Sequence, residues 1–174
     1  AGDDIRSIDL NVTAKLNEPY IKVFEEEREL TFMLLVDVSG SESFGSRVQL
    51  KREMITEICA TLAFSAIQNN DKVGIIFFSD QIEQYIPPKK GKSHILRIIR
   101  EMINFEPEGK GTNIEQALTF FNNVTKKRSI AFLISDMMDD GFEKPLRIAA
   151  RKHDFVALQL RDIAENSLPD LGFI

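Results

Sequence analysis

Three short segments carry residue types that do chemistry together. Asp37-Val38-Ser39-Gly40-Ser41 closes an apolar run, Ser135-Asp136 closes another, and Gly109-Lys110-Gly111-Thr112-Asn113 precedes an amphipathic stretch. Two carboxylates and three hydroxyls among them, Asp37, Ser39, Ser41, Thr112 and Asp136, are the candidate ligands. Every one of these groups offers oxygen, and an all-oxygen donor set suits a hard cation such as Mg²⁺ or Mn²⁺ better than zinc. Each residue also has an ordinary alternative, because Ser, Thr and Asp are preferred helix caps. Taken together, and placed at strand ends, the five favour the metal reading over the caps.

The elements that would bring them there are legible in the apolar pattern. Leu30 to Val36, Lys72 to Phe78, Ser129 to Ile134 and Phe155 to Leu160 are short, nearly unbroken apolar runs. Such runs read as strands buried on both faces. Apolar residues at three- and four-residue steps (Val48, Leu50, Met54, Ile55, Ile58, Leu62, Ile67) predict a helix over about 47–69. Ile95, Ile98, Ile99 and Met102 mark a second helix, Ile114, Ala117, Leu118 and Phe121 a third, and Phe142, Leu146, Ile148 and Ala149 a fourth. Strands alternating with helices predict an α/β fold, a doubly wound, mostly parallel sheet with helices on both faces. Gln81 to Ile86 follows the second strand too closely for a crossover, so it is expected as an antiparallel edge strand stopped by Pro87-Pro88. Residues 1–29 are more polar and predict at most a short strand near Tyr20 to Phe24. They are expected to pack as an N-terminal segment on a domain formed by 30–174. In an open parallel sheet, ligands bind beyond the carboxyl ends of the strands, where strand order reverses, and the Asp, Ser and Thr segments fall there.

Composition narrows the chemistry further. The 174 residues are 43% hydrophobic and 28% charged, with 22 basic against 27 acidic side chains and a net charge of −5. That balance argues against a nucleic-acid backbone as the main partner, because neutralising phosphates takes a basic face. No apolar run approaches the roughly 20 residues of a membrane-spanning helix. The single cysteine, Cys59, sits in a helical apolar pattern and reads as a buried reduced thiol of a reducing compartment. His94 and His153 lack ligand-like spacing. The start at Ala1 and the end at Ile174, where a further strand is expected to begin, read as the bounds of a piece of a larger protein.

Asp37-x-Ser39-x-Ser41 with Thr112 and Asp136 resembles the metal-ion-dependent adhesion site of von Willebrand factor type A domains. The resemblance extends along the chain through Gly2-Asp3-Asp4-x-Arg6-x-Ile8-Asp9, Phe24-x-Glu26-Glu27, Phe44-Gly45-Ser46 with Lys51, Asp71-Lys72-Val73-Gly74 with Phe78, and Leu168-Pro169-x-Leu171-Gly172. These strings are similar to an uncharacterised bacterial group of von Willebrand-A-like proteins whose genes accompany MoxR-type AAA+ ATPases. Leu10 stands where that group usually has Trp, and Glu42 where Met is common; Glu42 adds a carboxylate beside the motif.

The resemblance implies that Ser39, Ser41 and Thr112 bind the ion directly, while Asp37 and Asp136 act through bound waters. It implies an open position for an Asp or Glu side chain of a protein partner, and a loop at Thr112, flanked by Gly109 and Gly111, that shifts between closed and open arrangements. It further implies a role beside a MoxR-type AAA+ ATPase, on the cytoplasmic side, in a parent protein that is membrane-anchored. The expected function is a metal-dependent interaction module and not an enzyme. The alternative is a Mg²⁺-dependent phosphatase like the haloacid dehalogenases, with Asp37 at the first strand end and Asp136 with Asp140 as the later acidic pair. Those enzymes need a second carboxylate two residues after the first as proton donor, and that position is Ser39. A serine hydrolase elbow and the glycine-rich phosphate loops are absent from the sequence.

Overall fold

The protein is described by a computed structural model, which defines residues 29–39 and 46–160, with the backbone alone for 46–48. The chain divides into two compact units, Ala1–Leu30 and Thr31–Ile174, and all the elements below belong to the second unit. The strand expected near Tyr20 to Phe24, the packing of residues 1–29, and the strand expected at the chain end lie outside the described residues.

Among the described residues, five strands and four helices follow one another as β1 (Thr31–Asp37), α1 (Ser46–Asn69), β2 (Lys72–Phe78), β3 (Ile82–Lys89), α2 (Lys92–Ile103), α3 (Ile114–Val124), β4 (Ile130–Ser135), α4 (Glu143–Lys152) and β5 (Asp154–Gln159). The sheet order is β3-β2-β1-β4-β5. Pairing is parallel between β1 and β2, β1 and β4, and β4 and β5, and antiparallel only between β2 and β3. This is the doubly wound α/β architecture that the apolar runs predict. Strand order reverses at β1 and β4, so Asp37 and Ser135 end neighbouring strands at the same edge.

Period-two alternation splits the core. Leu34, Val36, Ile75, Phe77 and Ile134 face α1 and α2, where they meet Ile55, Cys59, Ala63, Ile95 and Ile98. Met33, Leu35, Ile76, Phe78 and Leu133 face the other way, against Ile114, Leu118 and Phe121 of α3 and Ala149 of α4. The residues of α1 that lie deepest are mostly small: Ile55, Cys59, Ala63 and Ala66. That row lets a 24-residue helix lie close to the sheet.

Two expectations need correction. Ile148, expected on the buried side of α4, is 46% exposed, and Pro145 and Ala149 are the buried residues of that helix. Pro87-Pro88 does not stop β3, which runs on to Lys89. The strand lies at the sheet edge, where a missing N–H is tolerated, and the register shifts between Val73 and Ile75. Gly74 sits in that irregularity, and a Cβ there would come within 2.8 Å of the Pro88 nitrogen and of Met33 Sδ.

Candidate functional site

Asp37 is fully buried at the end of β1. Its Oδ1 accepts from the Ser39 backbone N–H at 2.9 Å and from Ser39 Oγ at 2.5 Å. Its Oδ2 accepts from Ser135 Oγ at 2.7 Å, across from the end of β4. Burial raises the Asp37 carboxyl above its ordinary value, opposed by the Lys51 ammonium and by the hydrogen bonds from Ser39 and Ser135. The turn at 37–39 thus folds on its own carboxylate, a local bond typical of Asp at strand-to-loop junctions.

Thr112 reaches the same place from the loop between α2 and α3. Its Oγ1 lies 2.6 Å from Ser39 Oγ. With the Ser39 proton directed at Asp37, Thr112 is the donor in that pair. The capping alternative for Thr112 does not hold, because α3 is capped by other residues. Asn113 Oδ1 accepts from Gln116 N at 2.9 Å, and Asp139 Oδ2 accepts from Ile114 N at 2.8 Å. Asp136 caps no helix among the described residues either. Its Oδ1 accepts from Met138 N at 3.3 Å in a local turn where Met137 takes a φ of 60°. Ser41 lies outside the described residues.

A cation sits among these oxygens. Lys51, on the second turn of α1, donates to the Ser39 carbonyl at 2.6 Å and to Asp136 Oδ2 at 3.4 Å, and its Nζ lies 3.8 Å from Asp37 Oδ2. Its side chain is 14% exposed. Among the described residues no three His, Cys, Asp or Glu side chains converge as a metal cluster would require. The ammonium touches the two carboxylates and the Ser39 carbonyl, so these oxygens accommodate positive charge, and the Ser39 and Thr112 hydroxyls lie bonded to each other beside them. On that chemistry the residues fit a hard cation.

What holds the Thr112 loop is not legible in the sequence. Glu83 of β3 accepts from Gly109 N at 2.8 Å, from Glu108 N at 3.1 Å and from Ser79 Oγ at 2.5 Å. Desolvation pushes its carboxyl up, but the bonds from Ser79, Gly109, Glu108 and Gln81 outweigh it and hold Glu83 below the usual value. Asn113 N donates to the Ser79 carbonyl at 2.8 Å, Phe105 stacks on Phe77 with ring centroids 4.7 Å apart, and an Arg52 guanidinium donates to the Phe105 carbonyl. Gly109 is packed so closely that a Cβ would overlap Ser79 Oγ and Asp80 Oδ1. The glycine therefore serves close approach in this arrangement. An acid on an edge strand beside a Ser-Asp turn was the available signal, but nothing in the sequence paired it with residues 25 positions away. Beside Asp37 and Ser39 lies a depression of about 320 Å³, floored by Ile55, Met102 and Phe105 and bordered by Lys51, Arg52 and Lys110.

Comparison with known proteins places this geometry in context. A family model described as "Protein of unknown function DUF58" matches residues 1–174. Uncharacterized proteins of Mycobacterium tuberculosis and Mycobacterium bovis are 27% identical over 174 residues, 98% of this chain and 55% of theirs. The chain spans about half the length of these curated relatives. Among solved structures, an aerotolerance-related membrane protein from Bacteroides fragilis is similar with a TM-score of 0.54 and 18% identity, covering 74% of this chain and 66% of that one. BatB from Bacteroides thetaiotaomicron gives 0.53 and 17% over 74% and 65%. A von Willebrand factor type A protein from Catenulispora acidiphila gives 0.55 and 11% over 74% and 32%. At these identities the likeness is one of fold, and the fold is that of von Willebrand A domains.

Proposed function

The chain belongs to this DUF58 family, and from that premise we propose that it is a divalent-metal-dependent protein-interaction module. The observation that carries the reading is the hydrogen-bonded run Asp37–Ser39–Thr112 at the carboxyl edge of the sheet, with Asp136 joined to Asp37 and the Ser39 carbonyl through the Lys51 ammonium. Ser39, Ser41 and Thr112 would hold a Mg²⁺ or Mn²⁺ ion through hydroxyl oxygens, with Asp37 and Asp136 acting through its waters. The bound ion supplies a Lewis-acid position that accepts a carboxylate. Neutral hydroxyl ligands leave more of its charge for an acidic side chain of a protein partner. The chain's own part is to keep Ser39 aimed by Asp37, to keep Asp37 aimed by Ser135, and to present Thr112 from a latched loop. The apolar floor beside Ser39 suits a partner whose acidic residue has an aliphatic neighbour.

Nothing in the site favours catalysis over binding. Of the acidic pair that the phosphatase reading uses, Asp136 with Asp140, Asp136 is engaged by the Lys51 ammonium at 3.4 Å and by the Met138 N–H at 3.3 Å. No helix among the described residues is long and apolar enough to cross a membrane. A membrane-anchored parent with this domain on the cytoplasmic side, working beside a MoxR-type AAA+ ATPase, is the setting we propose for the whole protein. Calorimetric titration with Mn²⁺ of the native chain, Asp37→Ala and Thr112→Ala tests the reading. Saturable binding in the native chain that is lost in Asp37→Ala and weakened in Thr112→Ala is expected, and equal heats from all three would overturn it. Pull-downs with the native chain and Asp37→Ala, with Mg²⁺ or chelator, then test for a metal-dependent partner.

A further inference from the structure

Building on the metal reading, we propose that Lys51 is a tethered competitor of the metal, an internal ammonium that holds the acidic side of the site and weakens its affinity for divalent ions. The placement argues for it. Lys51 Nζ touches the Ser39 carbonyl and both carboxylates, at 2.6, 3.4 and 3.8 Å, and its side chain is mostly buried. Its neighbour Arg52 turns away to the Phe105 carbonyl, while the Lys51 ammonium faces Asp37 and Asp136. A buried carboxylate without a counter-charge is costly, and Lys51 provides that charge.

The same charge has a second effect once an ion is bound. Two carboxylates and one ammonium sum to one negative charge, so a dication leaves these groups at net positive one. Without Lys51 the loaded groups would be neutral. Lys51 therefore weakens the hold on the metal while leaving the loaded site more attractive to a partner's carboxylate. Its helical tether lets it swing toward the adjoining depression, which it borders, without unfolding α1.

The test is calorimetric titration of Mn²⁺ into the native chain, Lys51→Met, Lys51→Gln and Lys51→Arg, with melting curves in chelator and in Mg²⁺. Lys51→Met and Lys51→Gln are expected to bind Mn²⁺ at least about tenfold more tightly than the native chain, and Lys51→Arg close to it. In chelator the two neutral variants melt lower, and Mg²⁺ raises their melting temperature by more than it raises the native one. Neutral variants that fold only with the ion present also support the proposal. Neutral variants that bind Mn²⁺ no more tightly than the native chain overturn it while leaving the metal reading intact. So does failure of both to fold with metal present, because the ion then does not replace the ammonium. Absence of Mn²⁺ binding in every chain, native included, overturns the metal reading and this proposal with it.

Discussion

The two halves of the site are held by different means. Asp37 and Ser39 belong to the sheet: β1 is paired on both sides, Val38 N extends the ladder by donating to the Phe78 carbonyl at 2.8 Å, and Asp37 is fully buried. Thr112 belongs to a loop attached mainly through Glu83, a partly exposed carboxylate gripping two backbone N–H groups and a hydroxyl. One half is fixed by strand pairing and an apolar core, the other by polar bonds, three of them to Glu83, with the Asn113–Ser79 bond and the Phe105 stack at its ends. Loss of Glu83 is expected to loosen the Thr112 loop while leaving the sheet as it is.

The largest predicted effect separates the halves. Asp37→Ala removes the acceptor that aims Ser39, and Mn²⁺ affinity is expected to fall at least about a hundredfold, read by calorimetry. Asp37→Asn loses the same affinity, yet in chelator it is expected to melt no lower than the native chain. The sign follows from burial: the folded carboxyl is raised above its ordinary value, so its ionised form is a cost to folding at neutral pH, which the neutral amide avoids. A clear drop in the melting temperature of Asp37→Asn would show that the rigid half depends on the charge itself.

A smaller effect is expected from Glu83→Ala. Losing three hydrogen bonds at a partly exposed position should cost about 1–2 kcal/mol of stability and weaken Mn²⁺ binding several-fold. Amide exchange should quicken at Glu108 and Gly109 and stay slow at Val38. Equal protection at all three positions would erase the contrast between the halves.

Acid is expected to act in the same direction. Glu83 is held below its usual value in the folded chain, so its contribution is complete above about pH 4.5, the ordinary Glu value, and fades as pH falls through the lower folded value. Exchange at Gly109 should therefore accelerate in that acidic window, and Glu83→Gln should flatten the dependence.

The smallest effect is an expected absence of change. Cys59 is fully buried under α1, with burial pushing its thiol up to about 12. A thiol reagent should leave it unmodified in the native chain and in Glu83→Ala alike. Modification in Glu83→Ala would mean that the latch supports the core and not the loop alone.

How much of this was legible in the sequence follows the same division. The sheet, its one antiparallel edge and the strand-end placement of Asp37 and Asp136 could be read, because buried strands write continuous apolar runs and function collects at their carboxyl ends. The approach of Thr112 to Ser39 was foreseen as a shared edge, 73 residues apart. Lys51 was visible only as part of a family string, since the direction of a helical side chain toward a strand end depends on how α1 crosses the sheet. Glu83 was not visible at all. An acid in an edge strand ordinarily faces water, and only the closeness of the 108–109 loop to β3 makes it a latch. Pro87-Pro88 was misread because proline is excluded from central strands but not from edges, and Ile148 because periodicity alone does not say which side of a short helix meets the sheet.

The edge prolines have one more consequence. An open strand edge invites another chain to add to it; among the described residues β3 has no outer partner, and the missing N–H donors of Pro87 and Pro88 weaken it as a template. The register irregularity opposite them at Gly74 further spoils a flat pairing surface. Growth of the sheet past β3, whether into fibres or by exchange of strands between copies, is thereby discouraged at the border that also carries Glu83.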